Sequence, residues 1–545
     1  MEKTKSSVGI LLTILMAATA FFVFPTPVAA EDITIGIIGP TGLIQGDGMM
    51  EGAELAAEEM GWTMGGRNIV LKSRDEFQGG ADGTVASGTS AMQQLVADGC
   101  DYVMGGFRTE SVMGAREVAC DNELLYVING AATDEVIDCG DGTCGACVRC
   151  DYERYKYLFR TTPMNSSMLV ASITGVYYKG VRGFLTTVLE TLVDPFGFDS
   201  FSPMYNITTK QVKVAVITES LSWCAGFWGL LTIPAYYQAY LGPLYNVTYA
   251  AQVSPTQEDF TAEMTGIKTN ECRLVIMILS AEKAGRAFTT AMYDQQVPAV
   301  GVGINVIEQM SESWDETSGK VEYECGLVTS GTRTPITSAS IPFWDAYVDM
   351  HGHAPIYTAF GTYGGMYMLK EAIDAVGFNT TDIIGYLETA GPRLTPTGLS
   401  DFTQYHDLLC YSIGEDWPYG FVRALMGQWQ AGKIEIVNPK YSVEPNLLPY
   451  WKRWMIRLNI YNFTLDLNYD GVVNMRDISL AARAFGSYPL GPMYDRGAAI
   501  IVDDYPTGYE DEPVTMRDIS KIARAFGTDY TDHWPLPYIW HTSWG

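Results

Sequence analysis

The segment "CDYVMGGFRTESVMGAREVACDNELLYVING", residues 100–130, contains the pattern that decides the fold. A short apolar run ending in Gly-Gly is followed by apolar residues at helical spacing and by a second apolar run ending in Asn-Gly. Short apolar runs between turn residues are typical of buried parallel strands, and a spacing of three or four residues indicates a helix. The segment therefore predicts a strand–helix–strand unit.

The same alternation continues on both sides of this unit and forms two series along the chain. The first series starts at "ITIGIIGP" (33–40) and ends at "YVING" (126–130). The second starts at "QVKVAVITES" (211–220) and continues through "CRLVIMILS" (272–280) to "PAVGVGI" (298–304). Regular alternation of this kind predicts a doubly wound parallel sheet in each series. We therefore predict an α/β protein with two lobes and a cleft between them.

The expected position of a ligand follows from this architecture. Parallel sheets bind ligands beyond the carboxyl ends of their strands. The residues that follow "YVMGG", "YVING", "AVITES" and "VIMIL" are therefore the candidate binding positions.

Composition limits the classes of partner. The chain has 545 residues, which is too long for a single core, and its 47% hydrophobic content is typical of globular domains. The formal net charge of −28 argues against nucleic acid as a partner, because phosphate backbones repel such a surface. No nucleophile elbow, P-loop or Ser–His–Asp spacing is recognisable, so we predict that the protein is not an enzyme.

The first 30 residues predict an export signal. Lys3 and Lys5 precede an apolar run at 8–24, and "VAA" at 28–30 supplies small residues for cleavage. An uncleaved membrane anchor is the alternative, because the run is as long as the shortest spanning helices, ~17 residues. We expect a secreted protein that is extracellular or associated with the cell surface, in a periplasmic type of space.

The stretch "CGDGTCGACVRC" (139–150) contains four of the ten cysteines, Cys139, Cys144, Cys147 and Cys150. An even number of cysteines in an oxidising space predicts disulfides. A zinc site and an iron–sulfur cluster are the alternatives. A Cys139–Cys150 bridge with a Cys144–Cys147 bridge is one of three pairings within the stretch.

Several ordered segments between residues 32 and 440 resemble a known family, the type I periplasmic solute-binding proteins of ABC importers. The branch with the greatest similarity is the leucine/isoleucine/valine-binding one. The segments that carry the resemblance are "ITIGIIGPTG", "DYVMGGFRTESV", "YVINGAATDEV", "YLFRTTPMNSSM", "VKVAVITES", "EDFTAEMTGIK" and "TAFGTYGGMYMLKEAIDAVG". The resemblance implies two doubly wound lobes joined by a hinge, a small solute bound between them, and an ABC permease as partner.

The resemblance also implies a set of ligand-binding residues. Thr109 matches the position where a hydroxyl receives the solute's carboxylate, Ala131 and Thr133 match positions that hold both ends of an amino acid, and Trp223 matches the aromatic of the second lobe. Hydroxyl and N–H groups at strand-to-helix turns are suited to an anion on general grounds. The alternative role for Thr109 and Thr133 is to cap helices.

The chain departs from the family pattern at three points, one of which is the aromatic expected after "VIMIL", replaced here by Ser280 to Glu282. The acidic residue that meets the ammonium group is missing from "VGVGINVIEQM", where Asn305 or Glu308 is the nearest substitute. Arg108 adds a positive charge beside the expected carboxylate position, although an exposed arginine at a loop edge is the alternative. An amino acid, an amide, a peptide-like compound and an organic acid all fit this pattern.

The C-terminal region contains an internal duplication. "MRDISLAARAFG" (475–486) recurs as "MRDISKIARAFG" (516–527), with ten of twelve residues identical. The first copy follows a loop with the spacing of an EF-hand-type calcium site, with Gly471 at its sixth position. The predicted calcium ligands in this loop are Asp466, Asn468, Asp470, Val472 (through its carbonyl), Asn474 and Asp477.

This duplicated loop–helix pattern resembles the dockerin type I module, which implies a cohesin-bearing surface protein as a partner. Pro513 and an insertion disturb the second loop, where Asp511, Thr515 and Asp518 are the predicted ligands. A calcium-stabilised cap that binds no partner is the alternative. The full prediction is thus a two-lobed fold followed by a small α-helical module with calcium as its cofactor.

Two functions are consistent with these features of the sequence. The first is the solute-binding component of an ABC importer, tethered through the calcium module; the second is a non-transport surface-assembly or sensory protein that retains the fold. The predicted boundaries are a signal peptide at 1–30, lobe 1 at 31–160 and 331–395, lobe 2 at 161–330 and 396–445, a linker at 446–461, the calcium module at 462–530 and a tail at 531–545.

Overall fold

The computed structural model describes residues 31–438 together with Met475. Within that range it leaves out 81, 141, 162–164, 168, 171–211, 242–244, 273, 296, 298, 323, 329–332, 409–424 and 431. The described chain forms two α/β lobes, as predicted from the alternation of strands and helices. In the described residues, no helix has the length and apolar character needed to cross a membrane.

The first lobe contains a six-stranded sheet in the order β2-β3-β1-β4-β5-β6. All neighbouring strands are parallel except β2 and β3, which form an antiparallel pair. The strands are β1 (Asp32–Gly39), β2 (Thr63–Met64), β3 (Arg67–Asp75), β4 (Tyr102–Gly105), β5 (Leu125–Ile128) and β6 (Leu158–Arg160). Strands β4 and β5 are buried along their whole length, which explains their continuous apolar sequence.

The register of the central strands brings three turns to one edge of this sheet. Ile38 pairs with Gly105, and Gly105 pairs with Ile128, so β1, β4 and β5 end at the same level. The turns that follow these strands are therefore neighbours, although they are far apart in sequence. Two of them contain the predicted ligand-binding residues.

The second lobe contains a seven-stranded sheet in the order β15-β14-β11-β10-β9-β7-β8. Strands β8, β7, β9, β10 and β11 are parallel, and β14 and β15 continue the sheet in antiparallel fashion. The strands are β7 (Val212–Glu219), β8 (Tyr245–Val253), β9 (Leu274–Leu279), β10 (Val300–Asn305), β11 (Cys325–Val328), β14 (Leu425–Gln430) and β15 (Lys433–Asn438). A separate hairpin is formed by β12 (Arg393–Thr395) and β13 (Gly398–Ser400).

Helices follow most of the parallel strands. Those of the first series are α1 (Ile44–Glu59), α2 (Val85–Ala97), α3 (Thr109–Asp121) and α4 (Tyr152–Tyr155). Those of the second series are α5 (Ala225–Thr232), α6 (Pro234–Leu241), α7 (Thr261–Thr269), α8 (Glu282–Asp294) and α9 (Ser313–Glu316). Three further helices are α10 (Ser340–His351), α11 (Tyr357–Val376) and α12 (Thr380–Thr389), and α11 packs against α1 in the first lobe.

The segment 225–241 forms two helices, α5 and α6, with a break between them. Pro234 begins the second one, and Ile233 before it has an extended backbone with ψ of 118°. The residue before a proline is disfavoured in the α-helical region, which accounts for the break. Proline itself is well suited to the first position of the new helix.

The segment 401–408 lies against the first lobe, although the predicted boundary places it in the second. The guanidinium of Arg160, at the end of β6, is fully buried and pairs with the carboxylate of Asp407. The ring of His406 stacks on Phe159 with 4.0 Å between ring centroids. Sequence periodicity cannot show such contacts, because the partners are some 250 residues apart.

Candidate functional site

A cavity of about 80 Å³ lies between the two lobes, at the carboxyl ends of their strands. The first lobe and α11 contribute Phe107, Arg108, Thr109, Gly130, Ala132, Leu169 and Tyr357. The second lobe contributes Trp223, Leu279, Ser280, Ile304, Val306, Gln309 and Leu327. This is the position that the strand pattern predicted for a ligand.

The turn between β4 and α3 is the most tightly constrained part of the cavity wall. Gly105 and Gly106 have φ values of 113° and 90°, and a Cβ at Gly105 would lie 2.0 Å from the carbonyl oxygen of Ile38. Only glycine fits this left-handed, closely packed backbone. The turn therefore places the next residues, Phe107 and Arg108, at the mouth of the cleft.

The same turn is also fixed by Glu76, a residue that no sequence motif indicates. Its buried carboxylate accepts hydrogen bonds from the backbone N–H of Phe107 at 3.1 Å and from that of Arg108 at 3.0 Å. Burial raises the pKa of Glu76 to about 7, although these N–H groups favour the ionised form and oppose the shift. Glu76 is thus a positioning residue whose charge depends on pH near neutrality.

Arg108 lies at the boundary between the lobes. Its Nε is 2.8 Å from a carboxylate oxygen of Asp82, and its Nη1 donates a hydrogen bond of 3.3 Å to the Ser280 hydroxyl. The side chain is only 6% exposed and its guanidinium carbon lies 5.1 Å from the centroid of the Phe107 ring. The exposed-arginine alternative is therefore wrong, because Arg108 is part of the cavity wall.

Thr109 and Thr133 come together across neighbouring turns of the first lobe. Their hydroxyl oxygens are 2.6 Å apart and share a hydrogen bond. Thr109 lines the cavity, whereas Thr133 stands directly behind it. The N-cap of α3 is Arg108 and Thr109 is its first residue, and the Thr133 hydroxyl forms no cap hydrogen bond to the short helical turn at 134–136, so the alternative capping role is not observed.

Ala131 is buried and lies beside the cavity, while its neighbours Gly130 and Ala132 line it. The Nη1 of Arg160 donates hydrogen bonds to the carbonyl oxygens of Ala131 at 3.2 Å and Thr133 at 2.7 Å. Arg160 therefore fixes the backbone of this turn from the protein interior.

Trp223 lines the cavity from the second lobe, in the single turn that follows β7. Its ring packs edge-to-face on Phe227 at 5.7 Å. Its buried Nε1 and the buried side-chain oxygen of Gln309 have no hydrogen-bond partner among the residues that the structure describes. Buried polar groups are normally paired, so these two atoms are suited to a bound solute.

Asn305 does not line the cavity. It is the last residue of β10 and is fully buried, and its amide nitrogen donates to a carboxylate oxygen of Glu324 at 2.7 Å and to the Thr289 hydroxyl at 3.1 Å. Glu308 lies in the same network, and burial raises its pKa well above the usual range. Burial likewise raises the pKa of Glu324 to about 7. This network supports the second sheet and supplies no group to the cleft.

Charge is distributed unevenly around the cavity. Among its described lining residues, Arg108 is the only charged side chain, and most of the others are apolar. Glu219 is not part of the lining but contacts the lining residue Ser280. Its carboxylate accepts hydrogen bonds from the Ser280 hydroxyl at 2.6 Å and from the Ala281 N–H at 2.8 Å. Burial raises the pKa of Glu219 above its ordinary value.

The other predicted sites fall into two groups. The four cysteines at 139–150 are described and lie on the first lobe as free cysteines, so the predicted disulfides are not formed in the structure. The calcium ligands of both C-terminal loops lie outside the described residues.

The family of the chain is shown by its match to a family model. Residues 32–406 match the model described as periplasmic binding protein. The chain belongs to the periplasmic binding protein family. Members of this family bind solutes and are not enzymes, which confirms the prediction that the chain has no catalytic role. The prediction of the type I branch with leucine-binding relatives is confirmed by the similarities below.

Two curated relatives are Leu/Ile/Val-binding proteins. BraC3 of Rhizobium johnstonii is 27% identical over 222 residues, which cover 37% of this chain and 58% of the relative. Leu/Ile/Val-binding protein homolog 3 of Brucella melitensis is 35% identical over 130 residues, covering 23% of this chain and 32% of the relative. The chain thus spans less than two thirds of the length of either relative.

Solved structures show the same fold at low identity. A solute-binding protein of an ABC transporter from R. palustris, in complex with benzoate, has a TM-score of 0.56 at 11% identity and covers 75% of this chain and 96% of its own. LivJ of Streptococcus pneumoniae, in complex with isoleucine, has a TM-score of 0.54 at 16% identity and covers 75% and 100%. The two-lobed architecture of this periplasmic binding protein is therefore the one these solute-binding proteins use.

Two residues that line the cavity, Tyr357 and Gln309, were not among those predicted from the sequence. Tyr357 enters the cavity from α11, more than 200 residues after the first series of strands, and no local pattern marks it. Gln309 follows β10, and its place just beyond a predicted strand end was the available signal.

Proposed function

We propose that this periplasmic binding protein captures a small carboxylate with an apolar body between its lobes and delivers it to an ABC permease. The observation that carries the proposal is one buried guanidinium, that of Arg108, in an otherwise mostly apolar cavity. Arginine presents several donors in a planar fork that matches a carboxylate. With Nε beside Asp82 and Nη1 bonded to Ser280, the proposal assigns the solute's carboxylate to Nη2 and to the second N–H of Nη1. The apolar residues provide the burial that gives a small ligand most of its affinity.

The lining residues favour an organic acid over an amino acid. An ammonium group buried in the cleft requires an anionic or strongly accepting partner, because an unpaired buried charge is costly. None of the described lining residues carries a carboxylate, and Glu219 is already occupied by Ser280 and Ala281. Benzoate and isoleucine, the ligands of the two solved relatives named above, share the carboxylate and differ in the ammonium group.

Contacts across the cleft support a closed, ligand-retaining form. The Ser222 hydroxyl of the second lobe donates to a carboxylate oxygen of Glu110 in the first lobe at 2.6 Å. Arg108 of the first lobe donates to Ser280 of the second lobe. A solute that reaches both Arg108 and Trp223 adds further contacts between the lobes, so that binding favours closure.

The test is calorimetric binding with a panel of matched ligands. Benzoate and other apolar carboxylates should bind, their amides should bind weakly, and isoleucine should bind less well than an apolar acid of similar size. Arg108→Met should weaken binding of the acid by roughly 10- to 150-fold, since a hydrogen bond to a charged group contributes about 1.5–3 kcal/mol. Arg333→Met is the matched control, because Arg333 is 55% exposed and pairs with Asp345.

Equal affinity for acid and amide, or unchanged acid binding by Arg108→Met, would contradict this assignment. Binding of isoleucine but not of the acids would restore the branched-chain amino acid as substrate. A permease and ATPase pair encoded beside the gene would support import over a sensory role.

We also propose that the C-terminal module at 462–530 binds calcium and attaches the protein to a cohesin-bearing surface partner. The support comes from sequence: a duplicated helix, and six ligand positions of a hard-cation loop with glycine at the turn. The proposal places the protein outside the cytoplasm, in agreement with the export signal. If the module binds its partner while the cleft binds no solute, the surface-assembly alternative is favoured.

A further inference from the structure

The four clustered cysteines bring their sulfur atoms to one point on the first lobe. The Sγ of Cys150 lies 3.5 Å from that of Cys139, 3.3 Å from that of Cys144 and 3.3 Å from that of Cys147. The sulfurs of Cys139 and Cys147 are 3.6 Å apart. All four ligand atoms lie within 4.8 Å of one another.

Four cysteines can form disulfides, hold an iron–sulfur cluster or bind a single metal ion, and the distances between the sulfur atoms distinguish these three arrangements. A disulfide joins two sulfurs at about 2.05 Å and singles out one partner for each cysteine. Here Cys150 is nearly equidistant from three others. An iron–sulfur cluster spreads its cysteine ligands over several iron atoms. A single tetrahedral ion with metal–sulfur bonds of about 2.3 Å holds its sulfurs about 3.8 Å apart, which is close to the observed spacing.

The backbone of the loop is folded around the sulfurs. Gly140 and Gly145 each follow a cysteine and have φ values of 76° and 74°, which lets the chain turn back.

The loop is attached to the core of the lobe. The N–H of Val148 donates to the carbonyl of Ile137 at 3.0 Å, and the N–H of Asp151 donates to that of Cys147 at 3.0 Å. Cys147 is completely buried. The four sulfurs are thus gathered by a packed loop rather than by a surface coil.

The charge around the loop also suits a metal thiolate centre. Four thiolates and one divalent cation carry a net charge of −2, which favours a cation nearby. Arg149 lies between two of the cysteines in sequence, pairs with Asp138 and stacks over the ring of Tyr405 at 3.9 Å. The guanidinium is therefore held in place on the loop that carries the sulfurs.

We propose that Cys139, Cys144, Cys147 and Cys150 bind a single divalent ion of the zinc class. Four cysteine ligands complete a tetrahedron and leave no open position, so the ion has a structural role. The loop it stabilises continues directly from the turn that contains Ala131 and Thr133. Metal binding at this site is independent of what the cleft binds.

The test uses the full chain, exported through its own leader and purified without chelator. Elemental analysis should find one zinc per chain, and labelling of the denatured, unreduced protein should find the four cysteines unpaired. Replacing the metal with Co²⁺ should produce thiolate-to-metal charge-transfer bands and the visible bands of a tetrahedral ion. Cys144→Ser and Cys147→Ser should each lose the metal and these bands.

Cys100→Ala is the matched control, because Cys100 is a buried cysteine of the same lobe outside the cluster, and it should retain one metal per chain. Two disulfides within the loop and no bound metal would overturn the proposal in favour of the bridges predicted from the sequence. Bound iron together with inorganic sulfide would overturn it in favour of a cluster. Loss of metal from Cys100→Ala alone would place the ion elsewhere.

Discussion

Replacing Asp407 with alanine is expected to destabilise the first lobe strongly, because it removes the counter-ion of a buried guanidinium. The Nε of Arg160 donates to one carboxylate oxygen of Asp407 at 2.8 Å and a terminal nitrogen donates to the other at 2.6 Å. The exposed fractions of the two side chains are 0% and 5%. The pair is bidentate and fully removed from water.

Breaking such a pair by removing one partner costs about 3–5 kcal/mol, because the remaining charge is left buried and uncompensated. Replacing Asp407 should also affect the cleft. Arg160 also fixes the carbonyls of Ala131 and Thr133 beside the cleft, so its displacement should loosen that turn. Replacing both members, as in Arg160→Met with Asp407→Leu, should cost less than the single change, since no charge then remains buried.

The assay is urea unfolding of the ligand-free protein followed by circular dichroism, with hydrogen exchange of β6 to report on the first lobe itself. Exchange is included because two-lobed proteins need not unfold in one step. Asp345→Ala is the matched control. Asp345 forms a bidentate pair with Arg333 at 2.6 and 2.7 Å, yet the two side chains are 49% and 55% exposed.

Water replaces the lost partner at the exposed site, so Asp345→Ala should leave the unfolding midpoint nearly unchanged. The reasoning is refuted if the two alanine variants have the same effect. It is also refuted if the double replacement destabilises the lobe as much as Asp407→Ala alone.

Three further predictions concern pH, the cleft and calcium. Burial raises the pKa of Glu76 from 4.5 to about 7, so between these values the folded state retains a proton that the unfolded state has released. Unfolding free energy should therefore fall as pH rises through this window, and Glu76→Gln should flatten that slope in pH-dependent denaturation. Thr109→Ala and Thr133→Ala should each weaken solute binding by ~1–3 kcal/mol in calorimetry if a buried group of the solute loses its partner, and unchanged affinity in both would remove the hydroxyls from the site. Calcium should change the circular dichroism of the isolated 462–528 segment, and Asp466→Ala with Asp477→Ala should abolish this change; identical spectra with and without calcium would count against the module.

The order of strands and helices could be predicted from the sequence alone. Alternation of apolar runs with helical spacing is a local property, and a strand such as β4 is apolar throughout because both of its faces are buried. The position of the cleft could be predicted as well, because parallel sheets bind ligands beyond the carboxyl ends of their strands. Thr109 and Trp223 were identified through the family resemblance, and both line the cavity.

Which side chains line the cleft depends on contacts between segments that are far apart in the sequence. Asn305 stands at a strand end, as Thr109 does, yet Thr289 and Glu324 draw its amide into the interior. Glu76, the residue just after β3, accepts a hydrogen bond from the backbone of Arg108, and no spacing in the sequence indicates this contact.

The cysteine stretch shows the same division most clearly. The sequence determined only that the four cysteines share a segment of twelve residues, which could span about 40 Å if it were extended; that the sulfurs meet within 4.8 Å is a result of the fold. Only the tertiary structure decided that Cys150 is equally near to three partners instead of paired with one. Disulfide pairing and tetrahedral metal coordination differ in the distance between sulfur atoms, about 2.05 Å against about 3.8 Å. This distance is set by the packing of the loop on Ile137 and Tyr405 and not by the spacing of the cysteines in the sequence.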